Sequence, residues 1–265
     1  MKKITIVIGL SSLIGLFSET QVLSEINTNT NQYGLHGYVS TTIQQRYMGL
    51  PASRELHDGW MAWNELNVNL PEGFFLNVWN TTQLAGHTPL AHGGDELDLT
   101  AGWQADLFRG VKFTLAETYM DFYPLGQWWN GDVLATTIRL SKEFSFGNQS
   151  IKLEMWIWWI AHSENFEGGS VVLMPNITHK WRKPFGINFL TIRSRHMFVW
   201  DDGWVPPRHS SDGLFYRLDA GLDWQLSKHV SLTLPGFIAL VPVKDSHDLR
   251  DESHTSISAS LRFTF

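Results

Sequence analysis

Leu214-Phe215-Tyr216-Arg217-Leu218-Asp219-Ala220-Gly221-Leu222-Asp223-Trp224-Gln225-Leu226 decides the fold class of this chain. Read alternately, Leu214, Tyr216, Leu218, Ala220, Leu222, Trp224 and Leu226 form one wholly apolar face. Opposite them lie Phe215, Arg217, Asp219, Gly221, Asp223 and Gln225, three of them charged. Strict alternation is the period of a β-strand whose two faces meet different surroundings. The segment is also long. An ordinary strand has about 5–6 residues, whereas a tilted membrane strand needs about 9–11.

The pattern recurs on both sides of this stretch. Thr255, Ile257, Ala259, Leu261, Phe263 and Phe265 alternate with Ser256, Ser258, Ser260, Arg262 and Thr264. Leu97, Leu99, Ala101, Trp103 and Ala105 oppose Glu96, Asp98, Thr100, Gly102, Gln104 and Asp106. Trp60, Ala62, Leu66, Val68 and Leu70 oppose Trp63, Glu65, Asn67 and Asn69, and Ile151 to Trp159 oppose Lys152, Glu154, Trp156 and Trp158 in the same way. The alternation predicts strands at 35–48, 59–70, 74–83, 95–106, 111–123, 132–143, 151–162, 170–180, 186–199, 214–226, 229–241 and 254–265. Turn-like links, such as Pro71-Glu72-Gly73 and Ser227-Lys228, follow the even strands. Generally longer links follow the odd ones, among them 84–94, 200–213 and 242–253, although 124–131 and 163–169 are scarcely longer than the 144–150 link.

Short turns at one end, longer loops at the other and an even strand count describe a transmembrane, antiparallel, up-and-down β-barrel of about twelve strands. With the N-terminus in the periplasm, the turns are periplasmic and the loops extracellular. About 240 residues follow position 24, roughly 20 per strand and connection, which suits one domain spanning 35–265 after a periplasmic segment at 25–34. Averaging an apolar face and a polar face also accounts for a chain with 13 Trp and 16 Phe, only 17% charged residues, and a mean hydropathy of −0.14. On this reading the outward residues are apolar and the inward ones polar.

Composition excludes other classes. The chain has no cysteine, so disulfides, thiolate metal sites and cysteine nucleophiles are absent. A net charge of −6 argues against nucleic acid as a partner, because phosphate binding needs a basic face. Met1-Lys2-Lys3, the apolar stretch Ile4 to Phe17, and Val22-Leu23-Ser24 have the order of an export signal, with cleavage expected near Ser24 and residues 1–24 removed. Beyond it the longest apolar run, Met155 to Ile160, is far too short for a membrane helix of about 20 residues. A protein without helical spans enters a membrane only as a closed barrel, which satisfies every backbone group.

The polar faces supply the candidate pore-lining residues: Glu65, Asn67, Asn69, Glu96, Asp98, Lys152, Glu154, Arg217, Asp219, Asp223 and Arg262, with Asn77 beside them. A basic side chain on the lipid side costs about 2–4 kcal/mol at the midplane and an acidic one less, so charges are expected inside. Such walls would either seal the interior with mutual salt bridges or orient a solute in an aqueous pore. The strand at 186–199 leaves its facing open; if Thr191 points inward, Arg193 and Arg195 follow. Trp63, Trp156 and Trp158 fall on the polar face and could stack a sugar or nucleoside, or simply pack the interior. The other aromatics, including Trp60, Tyr119, Phe122, Tyr123, Trp128, Trp129, Trp159, Trp200 and Trp204, sit near strand ends as an interfacial girdle would.

Catalytic and metal patterns are weak. His87, His92 and Asp95 share one loop and His247 and His254 another, with no metal-motif spacing, so neither a metal nor a cofactor is expected. His162-Ser163 and His209-Ser210 place a base beside a hydroxyl, but neighbouring strand residues point to opposite faces. Glu96 and Asp98 share a face at i and i+2, as solvated carboxylates or as a cation site.

Glu96-Leu97-Asp98, Ala101-Gly102-Trp103 and Tyr119-Met120-Asp121-Phe122-Tyr123-Pro124 resemble stretches of the TorF-like family of small Gram-negative outer-membrane porins. That family's early Arg-Gly pair is not reproduced, since Arg46-Tyr47-Met48-Gly49 separates the two residues. The closing Leu261-Arg262-Phe263-Thr264-Phe265 resembles the terminal signature read by the barrel assembly machinery, with Phe263 and Phe265 as the signal. The resemblance implies a porin-like barrel with no defined substrate. The expectation is a channel in the bacterial outer membrane, surrounded by outer-membrane lipids, for passive passage of a small solute. An outer-membrane lipase or deacylase, or an adhesive barrel that binds through its loops, is the alternative.

Overall fold

The computed structural model describes residues 34–49, 54–85, 95–122, 132–163, 170–201, 213–244 and 253–265. They form twelve strands: β1 (His36–Gly49), β2 (Arg54–Asn69), β3 (Phe74–Gln83), β4 (Glu96–Asp106), β5 (Val111–Phe122), β6 (Val133–Phe146), β7 (Gln149–Ser163), β8 (Ser170–Arg182), β9 (Leu190–Asp201), β10 (Gly213–Gln225), β11 (Val230–Lys244) and β12 (His254–Thr264). Each pairs antiparallel with its neighbour in sequence, and β12 returns to β1, so the barrel is closed. The seam runs from Tyr38 opposite Thr264 to Gln44 opposite Ser258. Gly37 N–H donates to the Phe265 carbonyl at 3.0 Å, and Phe265 N–H returns the bond to Gly37 at 3.0 Å. Among the described residues no strand edge is left to pair with another chain.

One end carries the tight turns. Glu72 (φ 61°) with Gly73 (φ 85°), and Arg109 (φ 55°) with Gly110 (φ 73°), place two successive left-handed residues in the three-residue turns Pro71–Gly73 and Phe108–Gly110. That geometry matches the twist of the flanking strands, and glycine carries half of it without strain. Pro184–Gly186 lies in the connection from β8 to β9, after Lys183 at φ 54°. The opposite end carries the connections after odd strands. These ends are called the turn end and the loop end below.

Several strand limits shift from the alternation-based expectation. β2 starts at Arg54, five residues before 59, and pairs with β1 out to Gly49 through two register shifts. β6 and β7 run on to Phe146 and Gln149, so the link expected at 144–150 is a hairpin on Gly147-Asn148. That removes the doubtful case in the alternation of short and long links. β9 begins at Leu190 rather than 186, because 183–189 is spent on the longest of these turns. The expected signal at 1–24 lies outside the described residues.

The outer face is apolar around the barrel. Val39, Leu66, Leu76, Leu99, Leu115, Leu140, Leu153, Ile177, Phe198, Phe237 and Ile257 are all exposed there. An exposed apolar surface that encircles a chain belongs against lipid. Phe108 and Phe185, 76% and 80% exposed, project at the turn end. Charges also depart from the inward rule: Lys142 on β6 shares the outward parity of Leu140 and lies over the Phe144 ring near the turn end. Glu117 follows the outward parity of Leu115 and Tyr119 on β5, between Ala101 of β4 and Thr136 of β6.

The interior corrects a second expectation. Inward residues are polar in the turn-end half, but much of the loop-end half is apolar. Met61, Met120, Val133, Ala135 and Ile160 form one buried cluster, and Val172, Met174, Met197, Val199, Phe215, Ile238 and Leu240 form another. Trp63 of β2, Trp79 of β3 and Trp158 of β7 pack on the first cluster, and Trp158 also packs on the second. Side chains from nearly opposite walls thus meet in an apolar septum across the barrel.

Candidate functional site

Below the septum, toward the turn end, the lumen holds a cavity of about 460 Å³. Alternating residues of β1 to β7 build its wall: Tyr38, Glu65, Asn67, Asn69, Phe75, Asn77, Asp98, Thr100, Gln104, Thr114, Ala116, Thr118, Thr137, Arg139, Trp156 and Trp158. Glu65 is fixed by its neighbours. Tyr38 donates its hydroxyl to Oε1 at 2.7 Å, and Asn77 donates Nδ2 to the same oxygen at 2.8 Å. Arg262 lies 4.1 Å over the Tyr38 ring, a cation–π contact that steadies the phenol from the seam side.

The facing wall is basic. Arg195 Nε donates to Asp219 Oδ2 at 2.8 Å, its second nitrogen reaches the same oxygen, and Arg217 Nε donates to Oδ1 at 2.8 Å. Arg193 Nε donates to Asp223 Oδ2 at 3.1 Å, and Thr233 donates its hydroxyl to Oδ1 at 2.7 Å. On β7, Lys152 and Glu154 form an ion pair at 2.7 Å. Two guanidinium carbons, of Arg139 and Arg195, each lie 5.7 Å from the Trp156 ring centre. β9 and β10 stand on the far side of a twelve-strand ring from β3 and β4. Across the lumen from the Glu65–Asp98 wall, the three guanidinium groups of Arg193, Arg195 and Arg217 thus stand against the two carboxylates of Asp219 and Asp223.

All the expected pore-lining residues lie on inward faces, but they separate into groups. Glu65, Asn67, Asn69 and Asp98 line the cavity. Lys152, Glu154, Arg217, Asp219 and Asp223 belong to the ion-pair system. Glu96 is buried at 6% exposure outside the cavity wall. Arg262 belongs to the Tyr38 stack, and Arg193 and Arg195 face inward with Thr191. Phe263 points outward against His229, with ring centres 6.0 Å apart. Of the tryptophans on the polar face, Trp63 is packed edge-on to Trp79 at 5.7 Å, and cations cover Trp156. Only Trp156 and Trp158 reach the cavity.

Sequence reasoning passed over Tyr38, Phe75 and Arg139. The signal for Arg139 was present: Thr137, Arg139 and Ser141 alternate with Ile138 and Leu140. Asp98 Oδ1, Arg139 Nε and the indole nitrogens of Trp156 and Trp158 are buried with no hydrogen-bond partner among the described residues. Such groups are costly unless something polar meets them, by about 1–3 kcal/mol each. His87, His92, His209, His247, Trp128, Trp129 and Trp204 lie outside the described residues, as do the side chains of Phe122, Tyr123, His162 and Ser163. Asp95 is described and accepts the Gln83 N–H at 3.0 Å. Among the described residues no group of three or more His, Asp or Glu side chains is placed to hold a metal ion.

No protein-family model matches the chain, and no curated protein matches it. Solved structures do. The chain is similar to the NanC porin at a TM-score of 0.55 and 10% identity, over 86% of this chain and 100% of that one. It is similar to the KdgM porin at 0.52 and 10% identity, over 86% and 99%. It is similar to an outer membrane channel from Pseudomonas putida F1 at 0.50 and 12% identity, over 87% and 95%. At these identities the likeness is one of fold: this chain has the closed barrel of outer-membrane porins.

Proposed function

We propose that this chain is a porin-like channel of the bacterial outer membrane that passes a small polar solute passively. The observation that carries the reading is the polar cavity inside a closed, lipid-faced barrel, lined by Glu65 and Asp98 with Arg139 across it, and faced beyond that lining by the Arg193–Asp223 and Arg195–Asp219–Arg217 ion pairs. A soluble barrel would not need its exposed apolar belt, and a purely structural one would not need a polar cavity. The TorF-like resemblance and the three porin-fold neighbours point the same way. The candidate pore-lining residues divide the work. Glu65, Asn67, Asn69 and Asp98 contact the solute, while the Arg195–Asp219–Arg217 and Arg193–Asp223 pairs set the opposite charge. Phe263 and the terminal Phe265 serve as the assembly signal.

The apolar septum favours a second reading, in which the lumen is a vestibule open at the turn end and closed toward the loops. Hydrophobic constrictions gate by dewetting, so the septum would act as a gate or a permanent plug. Planar-bilayer recording of the purified protein separates these. Discrete steps with a reproducible ion selectivity support the channel. A barrel that shifts on an unheated denaturing gel but gives no steps overturns it. Release of fatty acid from phospholipid or lipopolysaccharide by the same preparation would instead support the hydrolase alternative.

A further inference from the structure

Glu117 presents its carboxyl group on the outer face of the barrel, exposed, in the seventh position of β5. Its hydrogen-bond partner there is Thr136, whose hydroxyl donates to Oε1 at 2.6 Å. It lies between the Trp103–Phe113 aromatic pair toward the turn end and Tyr119 toward the loop end, within the band that faces acyl chains. An ionisable group at that depth needs a polar partner, and an intramembrane charge generally marks a functional contact. The outer face is polar elsewhere only in places. Asn64, on β2, accepts the Thr41 hydroxyl at 2.9 Å, and Lys142 of β6 lies over the Phe144 ring near the turn end, whereas outward β7 reads Ile151, Leu153, Met155, Ile157 and Trp159.

The complement of Glu117 stands on the same chain, four strands further round. His196, also the seventh residue of its strand, faces outward and is exposed on β9. Its Nδ1 lies 2.6 Å from the Tyr216 hydroxyl. Among the described residues its Nε2 has no hydrogen bond. On one molecule these patches are too far apart round the ring to meet. They can meet between molecules.

We propose that a second copy of this chain covers the outer face at Glu117, bringing His196 of that copy against the carboxyl group, so that the barrels associate side by side in the membrane. The contact is head-to-tail: each copy offers the β5–β6 patch to one neighbour and the β9–β10 patch to another. A carboxyl–imidazole pair suits the site. Both groups are leashed to a hydroxyl on their own barrel, each keeps one atom for the neighbour, and both leave lipid together on contact. This complementarity and the matching position of the two residues along their strands fit a second copy of the chain to the site.

The absence of native cysteine makes the test clean. Barrels carrying Glu117→Cys and barrels carrying His196→Cys are co-expressed and oxidised in their own membranes. The lipid-facing Ile257→Cys on β12 replaces one partner as control. A mixed disulfide dimer as the dominant product, absent with Ile257→Cys, supports the proposal. Products of Glu117→Cys with itself alone, a link to a different envelope protein, or no product would each overturn it. Because a cysteine could itself disturb the contact, a second measurement uses native side chains. Light scattering of the wild-type barrel in detergent should give a multiple of the protomer mass, and Glu117→Leu should give the protomer while keeping its gel shift. A wild-type barrel that is already a protomer, or a Glu117→Leu barrel that stays associated, overturns the proposal.

Discussion

Arg217 lies two residues before Asp219 on the inner face of β10, and its Nε donates to Asp219 Oδ1 at 2.8 Å. Both side chains are nearly enclosed, at 5% and 10% exposure, and Arg195 takes the other carboxylate oxygen. Asp219 therefore holds two cations, Arg217 buried and Arg195 partly so. Removing one partner of a buried pair leaves uncompensated charge and costs about 3–5 kcal/mol. Asp219→Asn should lower the temperature at which the folded band is lost on a heat-titrated gel. Asp223→Asn should do less, because its pair with Arg193 is about one-third exposed and screened. Equal losses for the two would refute this ranking.

This pair also shows what the sequence makes legible. Where one face of a strand is charged and the other apolar, as at 214–226, the facing is forced and the structure agrees residue by residue. Glycine turns were equally readable, because few residues tolerate two successive left-handed positions. The septum was not readable. Met197-Phe198-Val199-Trp200 and Val171-Val172-Leu173-Met174 are apolar on both faces, so period two carries no signal there. Closure of the ring then decides, by continuing the parity set lower on each strand. Thus Arg193 and Arg195 fix Met197 and Val199 inside. Glu117 was hidden for another reason: alternation assigns charge inward by default, and only the register with Ala101 and Thr136 shows the exception.

Glu65 tests the wall charge. Glu65→Gln keeps an acceptor for Tyr38 and Asn77 but removes the formal charge, so the fold should survive. In a potassium chloride gradient the reversal potential should move toward anion preference, and Glu65→Lys should move it further. Arg139→Gln, on the opposite side of the same cavity, should move it toward cations. An unchanged potential in all three would place the ion path elsewhere.

Trp158 belongs to the cavity wall and to both apolar clusters, so it links stability to permeability. Trp158→Ala should destabilise the barrel by about 3–5 kcal/mol, the range for a packed tryptophan. It should also widen the constriction, raising single-channel conductance or creating it in a silent barrel. Loss of stability with no change in conductance would mean that the clusters pack against the wall without narrowing the path.

Gly102 sits on the inner face of β4, where an added Cβ would stand 2.3 Å from the tip of the Phe75 ring. The ring, which lines the cavity, can swing, but the same Cβ would stand 2.8 Å from the Ala116 Cβ, which is fixed to the backbone of β5. Gly102→Ala should fold and reduce conductance. Gly37→Ala meets a backbone atom instead, 2.0 Å from the Asn67 carbonyl oxygen, and should impair folding itself. Refolding yield from urea into detergent separates the two: modestly reduced for the first, strongly reduced for the second.

Phe265 combines two roles that substitution can separate. Its backbone closes the barrel through the paired bonds with Gly37, and its ring contributes the aromatic terminus. Phe265→Ala keeps the backbone bonds, so purified chain should refold in detergent with nearly wild-type yield. On the proposal that the terminal ring is the assembly signal, its accumulation in the outer membrane should fall. Deleting Phe265 also removes both seam bonds, worth about 0.5–1.5 kcal/mol each, and should lower refolding yield as well. If Phe265→Ala and the deletion behave alike in detergent, the ring matters for closure. If neither alters accumulation in cells, the terminal residue is not the signal.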